Sequence, residues 1–248
     1  MAWNFLDLSE IRQSRQPQQM QQSQQTQQFT HPPEPSKRPV VCICIPHTGS
    51  WNAEWVEKTY TPLKCIPTPY FDKIINLSRG SPVDVARNQF AKAVLEDKRI
   101  THLFFVDSDI IPEIPPDPNE MIFRLLSCNV PIVTGLYRAR KKEGFSYAIW
   151  MEAGNEQFVP VEQWTGNFFR VDVCGAGCLL IRRDVLEKVP PPWFVWDDMK
   201  ASPSEDFMFT LKCRKYGFET WCFSEVRCSH ISGQLKVLSD GRVVTCEV

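Results

Sequence analysis

The sequence lacks several features that would assign it to a common class of protein. No stretch approaches the roughly 20 apolar residues that a membrane-spanning helix needs. Residues 1–15 lack the basic region followed by an apolar core that marks a secretory signal peptide. The formal net charge is -1, which is unsuited to coating a nucleic acid. We therefore expect a cytoplasmic protein with no membrane span and no nucleic-acid partner.

The chain also lacks any Cys-x-x-Cys pair, although it contains ten cysteines. The only close pairs are Cys42/Cys44 and Cys174/Cys178, so the spacing does not predict a zinc knuckle. Most of the cysteines lie in apolar runs, where cysteine behaves as a small buried hydrophobic residue. This favours buried thiols, while the sequence leaves disulfides open as an alternative.

The N-terminal segment differs in composition from the rest of the chain. Residues 13–28 are mostly Gln, and four prolines follow before residue 40. Such a segment has too little apolar surface to offset the loss of chain entropy on folding. We predict a disordered Gln/Pro-rich tail over residues 1–38 and one folded domain over residues 39–248.

Strand-like apolar runs alternate with helical patterns through the first half of the domain. Val40–Ile45, Phe71–Leu77, Thr101–Val106 and Val130–Leu136 have strand length, and helical patterns lie between them. This order predicts a mostly parallel sheet. Residues 145–182 contain shorter strand patterns that suggest antiparallel hairpins. The predicted fold class is therefore α/β, with a mostly parallel sheet flanked by helices and a smaller antiparallel sheet in the C-terminal half.

Two carboxylates emerge where the third predicted strand ends. Asp107 and Asp109 are separated by one residue, so in extended chain they point to the same side. The carboxyl edge of an open α/β sheet is where ligands bind, and carboxylate oxygens suit Mg²⁺ or Mn²⁺. The alternative is that this Asp-Ser-Asp segment only forms a turn ahead of Pro112.

Polar residues also cluster around the start of the helix before that strand. Ser81 and Pro82 form a helix start signal, and the residues that lie off the apolar stripe are Arg79, Asp84, Arg87 and Asn88. At this position they would meet a phosphate or a base. The alternative, which the residue types favour, is that Arg87 and Asp84 pair on a solvated helix surface.

Three further sites in the C-terminal half have both a functional and a structural interpretation. Gly175 and Gly177 precede a buried strand, where missing side chains allow close approach of a ligand or a bulge in the strand. Glu205 and Asp206 open a helix, where acids commonly complement the helix dipole. His230 stands alone between Ser229 and Ile231, as structural histidines often do.

Taken in order, these features resemble the glycosyltransferases of the GT-A fold, particularly small enzymes like those of family 2. The resemblance covers roughly residues 40–232, and most of its weight comes from the order and separation of the motifs. It implies a Rossmann-like core and a nucleotide-diphosphate sugar as donor. The matching features are the first strand, Arg87-Asn88, Asp107-Ser108-Asp109, Gly175-Ala176-Gly177, Glu205-Asp206 and His230.

The resemblance implies a role for each motif. Asp107 would lie toward the ribose and the metal, Asp109 would bind Mn²⁺ or Mg²⁺, and His230 would complete the metal shell. Asp206 and Glu205 would be the catalytic pair, with Asp206 accepting the proton of the acceptor hydroxyl as general base in an inverting displacement. The residues expected on the nucleotide side are Arg79, Asp84, Arg87, Asn88, Asp107, Gly175 and Gly177.

Two departures from the family pattern narrow the prediction. The loop at residues 46–50 lacks the Asn-Glu of family 2, and no Gln-x-x-Arg-Trp motif follows Glu205-Asp206. The second absence favours transfer of a single sugar over processive polysaccharide synthesis. The acceptor, whether glycan, lipid or protein, is not encoded in any motif.

Two other classes of function remain as alternatives. A nucleotidyltransferase also uses Asp residues and a metal, but it should carry a Gly-rich loop and a basic residue after the first strand. Residues 46–50 contain one Gly and no Lys or Arg. A noncatalytic relative that binds a nucleotide sugar or a glycan is the other alternative, and the intact Asp107, Asp109 and Asp206 argue against it.

Overall fold

The structure, a computed structural model, describes residues 38–141, 144–154, 157–196 and 204–246. The predicted tail over residues 1–38 therefore lies outside the described residues except for Arg38. Strands hold 40% of the described residues and helices hold 27%.

The strands are numbered β1 to β15 in chain order. Their bounds are β1 Val40–His47, β2 Asp72–Arg79, β3 His102–Val106, β4 Ile110–Ile114, β5 Ile132–Leu136, β6 Arg138–Lys141, β7 Gly144–Tyr147, β8 Ile149–Gly154, β9 Gln157–Pro160, β10 Phe168–Val171, β11 Val173–Cys174, β12 Cys178–Arg182, β13 Thr220–Ser232, β14 Leu235–Val237 and β15 Val243–Thr245.

The helices are short apart from three. Their bounds are α1 Ala53–Trp55, α2 Thr61–Cys65, α3 Val83–Glu96, α4 Pro118–Ser127, α5 Arg183–Lys188 and α6 Glu205–Lys215, with a π-helical turn, Val56–Tyr60, joining α1 to α2. Among the described residues, no helix is long and apolar enough to cross a membrane.

One large mixed sheet organises the domain. Its strand order is β15-β14-β13-β5-β12-β3-β1-β2, and β4 and β10 also pair with β13. Strand β1 runs parallel to β2 and β3, and β5 runs parallel to β13. The other pairings in this sheet are antiparallel, including those of β12 with β3 and β5. Two small antiparallel sheets, β11-β8-β9 and β6-β7, complete the described strands.

The prediction of a Rossmann-like, mostly parallel sheet flanked by helices is wrong. Strand β12 lies between β3 and β5 and runs antiparallel to both, so it interrupts the expected parallel order. Strand β10 joins the large sheet through β13 instead of forming part of a separate antiparallel sheet. The sequence pattern failed here because a continuous apolar run reports burial on both faces and gives neither the direction of a strand nor its partner.

The apolar core has two parts, one on each face of the large sheet. Side chains alternate along β1, so Cys42 and Cys44 join one part while Val41, Ile43 and Ile45 join the other. Helix α3 contributes to the first part, and α4 contributes to the second. All five of these side chains are buried, which makes β1 an interior strand of the sheet. Their packing holds the carboxyl end of β1 in place.

Candidate active site

Three strand ends converge at one edge of the large sheet. Asp107 follows β3, Tyr137 follows β5, and Gly177 precedes the antiparallel β12. The backbone N–H of Asp107 donates to the carbonyl of Gly177 at 3.1 Å, which joins two of these ends. The 13-residue β13 pairs with β5 and continues along β4, which brings His230 to the same place.

Arg87 is buried and links two of the predicted acidic motifs. Its Nε donates to Glu205 Oε1 at 3.0 Å, and its Nη2 lies 3.0 Å from each carboxylate oxygen of Asp107. The Arg87 side chain is 2% exposed and that of Glu205 is 5% exposed. The interpretation of Arg87 as a solvated partner of Asp84 is therefore wrong. Arg87 instead ties α3 to the end of β3 and the start of α6.

Burial and neighbouring charges shift the pKa values within this group. Burial raises the pKa of the Asp107 carboxyl, and the charges of Asp109 and Asp206 add to that effect against the opposing charge of Arg87. Burial and the charge of Asp206 likewise raise the pKa of Glu205, again against Arg87. Burial alone would lower the pKa of Arg87, but the surrounding carboxylates outweigh it and raise that pKa. One guanidinium therefore balances several carboxylates in a partly desolvated space.

Asp206 lies in the first turn of α6 with its carboxylate held by backbone donors. Oδ2 accepts the N–H of Ala176 at 3.0 Å, and Oδ1 accepts the N–H of Phe207 at 2.8 Å. The hydroxyl of Ser204, at the N-cap position of α6, also donates to Oδ1. These three donors fix the orientation of the carboxylate, and Oδ2, which accepts one of them, keeps lone-pair capacity for a further proton or hydrogen bond.

Asp109 and His230 face each other although 121 residues separate them. His230 Nδ1 lies 2.9 Å from the carbonyl of Arg138, and a carbonyl only accepts, so Nδ1 carries the hydrogen. In the neutral imidazole, Nε2 is then an acceptor, and it lies 3.3 Å from Asp109 Oδ2. Burial lowers the pKa of His230, but the hydrogen bond and charge of Asp109 outweigh it and raise that pKa.

This pair is a fitting place for a hard divalent cation. Two acceptors that face each other at 3.3 Å need a cation between them, which is either a proton on Nε2 or a metal. The hydrogen bond from Nδ1 to the Arg138 carbonyl orients the ring as it does in metal-binding histidines. Within the described ranges, no group of three or more His, Cys, Asp or Glu side chains is arranged to hold a metal. Such a site would therefore use two protein ligands and take the rest from substrate and water, as Mg²⁺ commonly does.

The predicted metal role of Asp107 differs from its contacts in the structure. Both of its carboxylate oxygens contact Arg87, and its carbonyl accepts the indole N–H of Trp55 at 3.0 Å. The carbonyl also accepts the N–H of Ile110 at 3.1 Å, which closes the turn that carries Asp109. Asp107 thus holds the shape of the turn, while Asp109, whose side chain is 46% exposed, faces outward to His230.

The space left by Gly175 and Gly177 is filled by Tyr137. A Cβ on Gly175 would lie 2.1 Å from the Tyr137 hydroxyl oxygen, and a Cβ on Gly177 would lie 2.9 Å from its Cζ. The hydroxyl of Tyr137 accepts the N–H of Gly177 at 3.0 Å. The two glycines, which the family resemblance assigned to the nucleotide side, make room in the structure for a tyrosine of the protein itself.

The remaining predicted residues have other environments. Asn88 holds the aromatic loop that follows α5: its Oδ1 accepts the N–H groups of Trp193 and Phe194, and its Nδ2 donates to the carbonyls of Asp84 and Phe194. Asp84 is half-buried in the first turn of α3. Arg79 is exposed at the end of β2, opposite His47 and against Gly49. Of the residues predicted around the start of α3, Arg87 is thus the one whose side chain contacts the carboxylates.

Sequence reasoning missed Tyr137 and Trp55 as parts of this site. Tyr137 directly follows the fourth predicted strand and belongs to none of the motifs, and Trp55 lies in a short helical segment with no motif. The Gly175-Ala176-Gly177 spacing was the available signal for Tyr137, because two glycines around one residue indicate that something bulky approaches the backbone there. No pattern near Trp55 indicates its hydrogen bond to Asp107.

A known structure shares this fold. The crystal structure of A197 from STIV superposes with a TM-score of 0.59 and 21% sequence identity, covering 84% of this chain and 94% of that chain. At this identity the similarity shows the fold alone. No protein-family model matches the chain, and no curated protein matches it.

Proposed function

We propose that this protein is a glycosyltransferase that moves a single sugar from a nucleotide-diphosphate sugar to an acceptor hydroxyl. The observation that carries the proposal is the Asp109–His230 pair, with two acceptors 3.3 Å apart, at the same sheet edge as the fixed carboxylate of Asp206. A transferase of this kind needs a cation for the diphosphate and a proton acceptor for the hydroxyl. In this proposal the Asp109–His230 pair holds the cation, and Asp206 is the proton acceptor.

The cation in this proposal is Mn²⁺ or Mg²⁺, held by Asp109 and His230. Bound there, it would neutralise the negative charge that grows on the departing diphosphate. The 46% exposure of the Asp109 side chain leaves room for phosphate oxygens and water to complete its coordination. Asp107 contributes by keeping the turn closed, because Arg87 and Trp55 fix its side chain and its carbonyl.

Asp206 is the proposed general base. The acceptor oxygen forms a bond to the anomeric carbon, its proton passes to Asp206, and the bond between that carbon and the diphosphate oxygen breaks with its electrons leaving on the diphosphate. Attack opposite the leaving group inverts the anomeric configuration. The three donors on Asp206 preorganise it for this proton transfer.

Arg87 and Glu205 support the site from beneath without contacting substrate in this proposal. The side chain of Arg87 is 2% exposed, and its Nε and Nη2 are committed to Glu205 and Asp107. It therefore fixes the start of α6, and with it Asp206, relative to the turn that carries Asp109. Such a connection keeps the general base and the cation ligands in one rigid frame.

A cytoplasmic location is also part of the proposal. All ten cysteines are unpaired, and most of them are buried. Reduced thiols of this number are typical of a reducing compartment. The acceptor, whether glycan, lipid or protein, is left to experiment.

The proposal is tested by screening nucleotide-diphosphate sugars with Mn²⁺ for thermal stabilisation of the full chain, followed by product analysis. We expect a stabilising donor whose incubation with acceptors releases a nucleoside diphosphate. Release of sugar 1-phosphate, with the nucleoside monophosphate transferred to the acceptor, would instead identify a nucleotidyltransferase. Donor binding without turnover of any acceptor tested, or by water, would support the noncatalytic alternative and contradict the proposal.

A further inference from the structure

Three consecutive peptide groups ahead of β12 connect the parts of the candidate site. The N–H of Ala176 donates to Asp206 Oδ2 at 3.0 Å, and the carbonyl of Gly177 accepts the N–H of Asp107 at 3.1 Å. Between these two lies the N–H of Gly177, which donates to the hydroxyl of Tyr137 at 3.0 Å. Tyr137 therefore holds the middle peptide of a segment whose two flanking peptides hold Asp206 and Asp107.

The ring of Tyr137 is enclosed on the side of these peptides. The residue is 7% exposed, and the positions where Gly175 and Gly177 would carry a Cβ lie 2.1 Å and 2.9 Å from its atoms. Its ring also meets His230 edge to face, with centroids 6.0 Å apart. Tyr137 thus contacts the backbone of the glycine segment on one side and His230, the proposed cation ligand, on another.

The hydroxyl of Tyr137 matters because the segment it holds has little stiffness of its own. Two glycines around Ala176 allow peptide orientations that other residues would forbid. Without the hydroxyl, the buried N–H of Gly177 would lose its acceptor, and a buried donor without a partner is costly enough to drive a local rearrangement. Rotation of that peptide changes the backbone angles at Ala176, and a rearrangement that extends to the adjoining Gly175–Ala176 peptide would carry the N–H of Ala176 away from Asp206.

We propose that Tyr137 is a positioning residue whose hydroxyl fixes the Ala176–Gly177 peptide and thereby aims the carboxylate of Asp206 at the acceptor hydroxyl. The role of Asp206 in this inference rests on the proposed function. The contact between Tyr137 and the peptide is independent of the proposed function, because it consists of a hydrogen bond within the protein. Burial, with the charges of Asp206 and Asp107, raises the pKa of Tyr137, so the hydroxyl stays neutral while it accepts.

The first test is Tyr137→Phe, which keeps the ring and removes the hydroxyl. We expect the turnover number for transfer to fall about 10- to 100-fold through misplacement of the base. The Kd of the nucleoside diphosphate with Mn²⁺ should stay within about twofold, because Asp109 and His230 do not bond to the hydroxyl. Tyr70→Phe is the matched control, since Tyr70 stacks on Phe123 outside the site, and it should leave both quantities unchanged.

The second test separates positioning from general weakening of the structure. If Tyr137 acts through Asp206, Tyr137→Phe should lower turnover little further in an Asp206→Asn background. If the double variant lost turnover by the product of the two single-variant losses, the positioning role would be overturned. A loss of donor affinity in Tyr137→Phe as large as its loss of turnover would overturn it as well.

Amide hydrogen exchange across residues 173–181 supplies a readout that needs no activity. We expect faster exchange at Ala176 and Gly177 in Tyr137→Phe than in the wild type and in Tyr70→Phe. Unchanged exchange would overturn the inference even if transfer is slowed. A wild type without transferase activity would overturn the proposed function and the role of Asp206, while the exchange experiment would still decide whether the hydroxyl holds the peptide.

Discussion

Arg87 and Glu205 form a buried ion pair across 118 residues of sequence, with Nε and Oε1 3.0 Å apart. Neither side chain is more than 5% exposed, so water cannot replace either partner. Removal of one partner from a buried ion pair leaves an uncompensated buried charge, which strongly lowers the stability of the folded protein. The ion pair therefore gives Glu205 a structural role, which differs from the catalytic role proposed for its neighbour Asp206.

Glu205→Gln should mainly lower stability, whereas Asp206→Asn should mainly slow transfer. We expect Glu205→Gln to lower the free energy of unfolding by about 3 kcal/mol, because Arg87 loses a buried counter-charge. Asp206→Asn should cost less stability but slow transfer by roughly 10²–10⁴-fold, because the proton acceptor is lost. Urea denaturation and turnover measured on both variants check this. Near-normal transfer by Asp206→Asn would place the base elsewhere or indicate retention of configuration.

Asp109→Asn should weaken metal-dependent binding of nucleoside diphosphates. The amide keeps the shape of the side chain but removes the charge that balances the cation, so we expect at least about a tenfold loss of affinity in the presence of Mn²⁺. Calorimetric titration with uridine and guanosine diphosphate measures it. Asp240→Asn is the control, since Asp240 bonds to Arg242 in the exposed β14–β15 turn. Equal affinities for wild type and Asp109→Asn would remove Asp109 from the cation site.

Gly175→Ala should destabilise the protein, and Tyr137→Phe should partly reverse that effect. The added methyl would lie 2.1 Å from the Tyr137 hydroxyl oxygen but 3.2 Å from its Cζ, so removal of the oxygen relieves the worst contact. We expect a loss of about 1–3 kcal/mol for Gly175→Ala and a smaller loss in the double variant than the sum of the single ones. Additive losses in thermal or chemical denaturation would show that the hydroxyl is not what excludes a side chain at this position.

His102 should contribute to loss of stability in mild acid. Burial, aided by the charge of Arg182, lowers the pKa of His102 to about 4 in the folded protein, from 6.5 in the unfolded chain. Between those values the unfolded state binds the extra proton, so stability rises with pH in that window and falls as pH drops from 6.5 toward 4. The expected slope is at most about 1.4 kcal/mol per pH unit.

His102→Gln provides the comparison for that slope, since Gln does not titrate. The difference in unfolding free energy between wild type and variant should shrink or change sign as the pH falls from 6.5 toward 4. A difference that stays constant over this window would show that His102 titrates normally in the folded protein.

Removal of the N-terminal tail should leave the domain folded. Strand β1 begins at Val40, and Arg38 pairs with Asp72 at 2.9 Å, so a chain that starts at Ser36 keeps both features. The Gln-rich composition of the preceding residues cannot contribute a core. We expect the shortened chain to melt within a few degrees of the full chain. A much lower melting temperature would show that the tail packs on the domain.

Local pattern predicted some elements of the fold correctly. Proline at position 82 and the apolar spacing of Val83, Ala86, Phe90 and Val94 predicted α3, which begins at Val83. The continuous apolar run of β3 predicted a strand buried on both faces, and Leu103 to Val106 are buried completely. These features depend on neighbouring residues only, so periodicity and start signals were sufficient to find them.

The arrangement of the strands lay beyond local pattern. The apolar run at residues 178–181 was recognised as a buried strand, but its place between β3 and β5 was not. Pro112 suggested the end of regular structure, whereas it lies within β4, paired with β13. Strand β13 runs from Thr220 to Ser232 and pairs in turn with β5 and β4, a length that no local pattern indicates. In each case a partner strand distant in sequence supplies the hydrogen bonds that decide the outcome.

The sequence by itself determined which chemically capable side chains stand at strand ends and helix starts, because those positions are marked by local punctuation. Asp109 at the end of the β3 turn and Asp206 in the first turn of α6 were identified in this way. Only the tertiary structure decided what each residue faces. It bonded Arg87 to Glu205 and Asp107, and it packed Tyr137 against two glycines. These contacts join segments that lie 20 to 118 residues apart in the sequence. They depend on strand order, burial and charge balance, which no local pattern encodes.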